Sequence, residues 1–131
     1  IIGLGLIGGS MALDLRKSGL SKNIVGVDTN PDHATQAVAL GLVDEIVSFE
    51  EAIDEADLII AAIPVNALVR ILPNILDRMS DHAVVIDIGS TKGMICKSVR
   101  THARRKQFVA AHPIAGTENS GPEAAFSGLF R

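Results

Sequence analysis

The 131 residues are 47% hydrophobic and 21% charged with a net charge of −3, which fits one soluble α/β domain with a single core. The acidic balance excludes general affinity for nucleic acid or an anionic membrane, and four Phe with neither Trp nor Tyr leave little for base stacking. Cys96 is alone, which excludes an intrachain disulfide, and no apolar run approaches membrane-spanning length, so a cytoplasmic location is expected.

The chain opens on the apolar strand end Ile1-Ile2 and enters Gly3-Leu4-Gly5-Leu6-Ile7-Gly8. This spacing predicts a strand–turn–helix that cradles a dinucleotide pyrophosphate. Gly3 allows the tight turn, Gly5 lets the phosphates approach the backbone, and Gly8 seats the helix close to the sheet. The phosphates then face the free N–H groups and positive end of that helix. The alternative is a plain strand–turn–helix with packing glycines; the acid at Asp28, twenty positions beyond Gly8, weighs against it. The first helix carries Ile7, Met11 and Leu15 on one stripe, with Ala12 beside it, and stops at Ser18-Gly19.

Asn23–Asp28 reads as the second strand, ending on the acid. A carboxylate there accepts hydrogen bonds from the adenine ribose hydroxyls and repels a 2′-phosphate. Thr29, Asn30 and Pro31 follow where an NADP site would want a cation, so NAD is the expected cofactor; a loop-capping carboxylate is the alternative. Asn30 caps the next helix with Pro31 at its first position, and Gly41 closes it. Leu42–Val47 is a weaker edge strand. Ser48 then caps an acidic helix through Glu50, Glu51, Asp54 and Glu55, a solvated face.

Asp57–Ile63 is a buried strand stopped by Pro64. The helix after it spaces Leu68, Ile71, Leu72, Ile75 and Met79 by three and four, with Pro73 expected to split or kink it. Ala83–Asp87 is another buried strand, and the helix beyond it turns Ile95 and Val99 inward and ends on the basic Arg104-Arg105-Lys106. Phe108–Ala111 delivers His112-Pro113. The alternation of strand and helix predicts a Rossmann-type, doubly wound, mainly parallel sheet with helices on both faces. Both ends read as cut, so residues 1–131 are expected to be one dinucleotide-binding domain of a longer polypeptide.

In such a sheet the ligand lies at the carboxyl ends of the strands. The residues expected to hold the cofactor are Gly3, Gly5, Leu6, Ile7, Gly8, Asp28, Ile63 and Pro64. The loops Gly89-Ser90-Thr91-Lys92 and His112–Gly121 carry the remaining polar chemistry. His112 suits a general base for a substrate hydroxyl whose carbon gives up hydride. A His before Pro at a strand end also serves as a structural hydrogen-bonding group, and the dinucleotide loop favours the base. Ser90 suits a donor to the substrate or the nicotinamide ribose and a prop for His112, and equally a helix N-cap. Lys92 either orients a carboxylate or sits in the first helical turn. His33, His82 and His102 are read as solvent-exposed, and with Cys96 they fit no familiar zinc spacing, so no metal is expected.

Gly3–Ser10, Asp87–Lys92 and His112-Pro113-Ile114-Ala115-Gly116-Thr117-Glu118 together resemble the prephenate dehydrogenase family. The resemblance covers essentially the whole chain, as that family's N-terminal nucleotide-binding domain. It implies NAD-dependent oxidative decarboxylation of prephenate to 4-hydroxyphenylpyruvate, in tyrosine biosynthesis. His112 would engage the ring hydroxyl and Ser90 would assist it, with Thr117 and Glu118 near the substrate mouth and Glu118 a gate or orienting charge. Members of the family continue into a helical C-terminal domain that makes the dimer and supplies basic and imidazole groups for the substrate carboxylates. Nothing here replaces that domain, Arg131 included, so the chain alone is expected to bind NAD with little or no turnover. The rival readings are arogenate dehydrogenase, a β-hydroxyacid-type dehydrogenase and a non-catalytic NAD-binding module.

Overall fold

In a computed structural model, residues 1–130 are described; Arg131 lies outside the described residues. Five short strands alternate with helices: α1 (Leu6–Ser18), β1 (Val25–Gly26), α2 (Pro31–Ala39), β2 (Glu45–Ile46), α3 (Phe49–Asp54), β3 (Leu58–Ala61), α4 (Val65–Arg78), β4 (Val84–Asp87), α5 (Lys92–Ser98) and β5 (Phe108–Ala110). β1 pairs with β2, and β3, β4 and β5 form a second group; every pairing is parallel. Ile2 joins the two groups by bridging Val27 on one side and Ala61 on the other. The order across the sheet is therefore β2-β1-Ile2-β3-β4-β5, a doubly wound α/β arrangement that reverses direction between Ile2 and β3.

The strands are short but apolar, as a sheet covered on both faces requires. One buried cluster packs Ile59, Ala61 and Val85 against α3, α4 and α5 through Ile53, Leu68, Leu72, Ile75 and Ile95. A second packs Leu4, Ile24 and Val43 against Ala12 of α1 and Ala37 of α2.

Local signals set the helix ends as expected. Gly19 closes α1 with φ 71°. The Asn30 carboxamide oxygen accepts from the Asp32 and His33 amides, with Pro31 opening α2. Ser48 and Glu51 form a reciprocal capping box on α3. The Ser48 hydroxyl and backbone hold the Glu51 carboxyl below its ordinary value. Asp44 is lowered too, first by the Ile24 amide and then by Arg16.

Both folded-state values lie below the unfolded ones. Their contribution to stability is therefore present above the ordinary carboxylate range and is lost as pH falls through the lowered values. Asp44→Asn is expected to melt below wild type at neutral pH, with the gap narrowing at acid pH below the ordinary carboxylate range. Thermal scans at both pH values test this, and a gap that does not change with pH refutes it.

Four expectations are corrected. Pro73 does not split its helix, since α4 runs unbroken from Val65 to Arg78. The proline costs about 3 kcal/mol, but Leu68, Leu72, Ile75 and Leu76 are fully buried around it and contribute roughly 1.5–3 kcal/mol each. α1 buries Leu6, Gly8, Gly9, Ser10 and Ala12, whereas Ile7, Met11 and Leu15 are only half-buried. The small residues face inward because the last segment of the chain lies against them: a Cβ on Gly9 would come within 2.7 Å of the Ala125 methyl. Phe126 N also donates to Ser10 Oγ at 3.1 Å.

Arg104-Arg105-Lys106 do not end α5, which stops at Ser98. Arg104 instead donates to Met79 O at the end of α4 and pairs with Asp81 at 2.8 Å, so its charge complements a different helix. His102 is largely buried against Asp77, at 3.1 Å, rather than exposed.

Candidate active site

Because the strands are parallel, the loops after Ile2, β1, β3, β4 and β5 all open on one edge of the sheet. A cleft of about 670 Å³ lies there, and its walls include Gly3, Gly5, Asp28, His33, Ile63 and Pro64. A second hollow of about 770 Å³ sits at the opposite, amino-terminal edge, against Leu20, Asn23 and Asp57, and takes in none of the candidate site residues.

The glycine loop is shaped from both sides. Gly3 has φ 91°, and a Cβ on it would stand 2.8 Å from both the Ala62 carbonyl carbon and the Ile63 Cγ2 methyl. A Cβ on Gly8 would overlap the Gly3 carbonyl oxygen. Gly5 differs, since nothing lies within 4 Å of the place its Cβ would occupy. The turn is thus closed by packing at Gly3 and Gly8 and left open to a ligand at Gly5. Leu6, Ile7 and Gly8 form the first turn of α1 directly behind that opening. This is a cradle of the kind a dinucleotide pyrophosphate fits.

Asp28 lines the same cleft. Its Oδ2 accepts from the Leu4 amide at 2.8 Å and its Oδ1 from the Asn30 amide at 2.9 Å, so it ties the glycine loop to the end of β1. Asp28 thus caps the loop, and each carboxylate oxygen keeps a second acceptor position. His33, read as exposed from the sequence, lines the same cleft with its Nδ1 3.9 Å from Asp28 Oδ2.

Ser90 and His112 follow neighbouring strands whose register pairs Asp87 with Ala110. Both side chains are exposed, and among the described residues they make no hydrogen bond to each other. Thr91, not Ser90, is the N-cap residue of α5, which leaves the Ser90 hydroxyl free for other work. Thr117 and Glu118 are exposed farther along the same loop, where the Thr117 hydroxyl accepts from the Asn119 amide at 3.2 Å. None of these four lines the cleft; Ser90 and His112 follow the carboxyl ends of β4 and β5, and Thr117 and Glu118 lie farther along the loop.

The residue that sequence reasoning passed over is Asp87. It ends β4 fully buried and accepts from the Gly89 amide at 2.9 Å, from Lys92 Nζ and from the Ala111 amide at 3.3 Å. Lys92 therefore sits in the first turn of α5 with its ammonium on Asp87. The available signal was an acid closing an apolar run, the same one that marked Asp28.

Residues 11–131 match the family model described as prephenate dehydrogenase, nucleotide-binding domain. The chain belongs to that family. Prephenate dehydrogenase of Bacillus subtilis (strain 168) is 38% identical over 99% of this chain and 36% of its own length. A crystal structure of the A. aeolicus prephenate dehydrogenase in complex with hydroxyphenyl propionate and NAD+ superposes with TM-score 0.87 at 34% identity, over 99% of this chain and 46% of that one. Synechocystis arogenate dehydrogenase superposes with TM-score 0.83 at 31% identity, over 98% of this chain and 45% of that one. The chain thus spans less than half the length of these prephenate and arogenate dehydrogenases.

Proposed function

We propose that the protein carrying this domain oxidatively decarboxylates prephenate to 4-hydroxyphenylpyruvate with NAD as hydride acceptor. The observation that carries this is the placement of His112 and Ser90 just past two adjacent, registered strands, on the same edge of the parallel sheet as the open glycine cradle. The family match and the NAD+-bound A. aeolicus relative support it.

NAD, when bound, takes the hydride from the ring carbon that bears the hydroxyl. The loop residues Gly3, Gly5, Leu6, Ile7 and Gly8 hold the pyrophosphate against the α1 N-terminus, Asp28 takes the adenine ribose, and Ile63 and Pro64 wall the cofactor where β3 ends. His112 accepts the hydroxyl proton as the carbon becomes a carbonyl, and Ser90 orients that oxygen by donating to it. The ring carboxylate leaves as carbon dioxide, its bonding pair flows into the ring, and aromatisation returns a phenol that takes its proton back from His112. Thr117 and Glu118 stand at the mouth, with Glu118 orienting or gating the substrate. On this reading the remaining helical C-terminal domain completes the carboxylate site and pairs the subunits as a homodimer in the cytoplasm, and the isolated domain binds NAD with little or no turnover.

The likeness to Synechocystis arogenate dehydrogenase favours one second reading, the same chemistry on the aminated side chain. The test is NADH formation by the full-length gene product, with prephenate and arogenate supplied in parallel against NAD and NADP. Activity on arogenate alone moves the substrate and keeps the mechanism. Inactivity on both, with tight NADH binding, replaces the enzyme reading with a binding module. In the same assay Asp28→Asn, which removes the charge that repels a 2′-phosphate, is expected to narrow the NAD over NADP preference by roughly tenfold. An unchanged preference refutes the role given to Asp28.

A further inference from the structure

Asp87 is a fully buried carboxylate in a strand whose partners are otherwise apolar. Burying a carboxylate is costly unless its oxygens are met by donors. Here three donors meet it, and they come from two different loops. Oδ2 takes the Gly89 amide at 2.9 Å and the Lys92 ammonium, while Oδ1 takes the Ala111 amide at 3.3 Å. Gly89 immediately precedes Ser90, and Ala111 immediately precedes His112.

The sheet does not need this group for its own pairing. β4 and β5 are already joined over Val85–Asp87 and Phe108–Ala110, and the Ala111 amide also reaches the Asp87 carbonyl at 3.2 Å. The carboxylate adds a second acceptor to the Ala111 amide and reaches past the ladder at Gly89 and Lys92. Gly89 is shaped to the same purpose: a Cβ there would stand 2.8 Å from Ile95 Cδ1, 3.0 Å from Val65 Cγ2 and 3.2 Å from Asp87 Oδ2. A larger residue would crowd the turn that closes over the carboxylate.

We propose that Asp87 is the positioning residue of the reaction centre, a clamp that fixes the Ser90 and His112 loops relative to each other. This rests on the reading of Ser90 and His112 given above. Neither side chain holds the other directly, so their alignment is set by the backbone on which each is mounted. A misplacement of about 1 Å in such a pair costs up to roughly 100-fold in rate.

The test compares Lys92→Met with the double variant Asp87→Asn/Lys92→Met in the full-length enzyme. The double variant leaves no unpaired buried charge, and an amide cannot serve both loops as the carboxylate does. Its kcat is expected to fall roughly 10- to 100-fold below that of Lys92→Met, with KM and NAD affinity matched between the two and a melting temperature no lower, because Lys92→Met alone leaves the Asp87 charge unpaired. Amide exchange at Gly89 and Ala111 is expected to quicken at least about tenfold while Val85 and Ile86 stay protected. Equal kcat values overturn the clamp. So does a double variant that fails to fold, or one that loses kcat, NAD affinity and melting temperature together, because Asp87 would then serve the fold. A wild-type enzyme inactive on both substrates refutes the proposed function instead, and the exchange rates then decide the clamp by themselves.

Discussion

His112→Asn in the full-length enzyme is expected to lower kcat by roughly 10²–10⁴-fold, the usual worth of a general base, with NAD affinity unchanged. Asparagine keeps a hydrogen-bonding head of similar reach but cannot accept the substrate proton at neutral pH. The separation of the two readouts follows from the structure. His112 stands exposed just past β5 and outside the cleft, while the cleft proposed to cradle the cofactor is built from the Ile2, β1 and β3 loops on the other side of β4. The imidazole makes no hydrogen bond among the described residues, so its removal leaves no buried partner unsatisfied. Steady-state kinetics with cofactor titration check this. Retained kcat would remove the base from the mechanism, and a joint fall in kcat and NAD affinity would make His112 a structural residue.

Gly8→Ala and Gly5→Ala are expected to fail for opposite reasons. At Gly8 the new methyl would overlap the Gly3 carbonyl oxygen and stand 3.2 Å from the Ala62 methyl. Backbone on one side and a strand end on the other cannot retreat cheaply, so α1 must lift from the sheet. Overpacking of this kind costs about 1–3 kcal/mol and misplaces the helix N-terminus proposed to face the phosphates, so stability and NAD affinity should fall together. At Gly5 the methyl meets nothing within 4 Å, and the backbone φ of −73° suits alanine. The Gly5 variant should therefore melt with wild type and still lose at least about tenfold in NAD affinity, because its methyl fills the space the pyrophosphate needs. Melting curves and NAD titrations of both variants separate the two cases. Wild-type NAD affinity in Gly5→Ala would move the phosphates off this loop.

The local part of the fold was legible in the sequence. The Asn30-Pro31 start of α2, the Ser48/Glu51 capping box and the left-handed Gly19 each depend on a few consecutive residues, and the structure forms all three. The glycine loop was readable for the same reason, and so was the parallel order, because apolar strands alternating with amphipathic helices leave few other arrangements. Helix α1 shows where that reasoning stops. Its apolar spacing pointed to Ile7, Met11 and Leu15, but the face that is buried is the small one, chosen by Ala125 and Phe126 more than a hundred residues away.

By itself, then, the sequence determined the glycine loop, the acid that caps it, the order of elements and the two loops that carry Ser90 and His112. All of these are written in neighbouring residues, whose turns, caps and periodicities obey short-range sterics and hydrogen bonding. Only the tertiary structure decided that Pro73 would be carried inside α4, that Arg104 would close a helix 25 residues upstream, that His33 would line the cleft and that Asp87 would hold two loops at once. Each of those outcomes depends on groups brought together from separate elements in a dry interior. There a buried charge must find its donors and a costly backbone feature survives when surrounding apolar burial outweighs it.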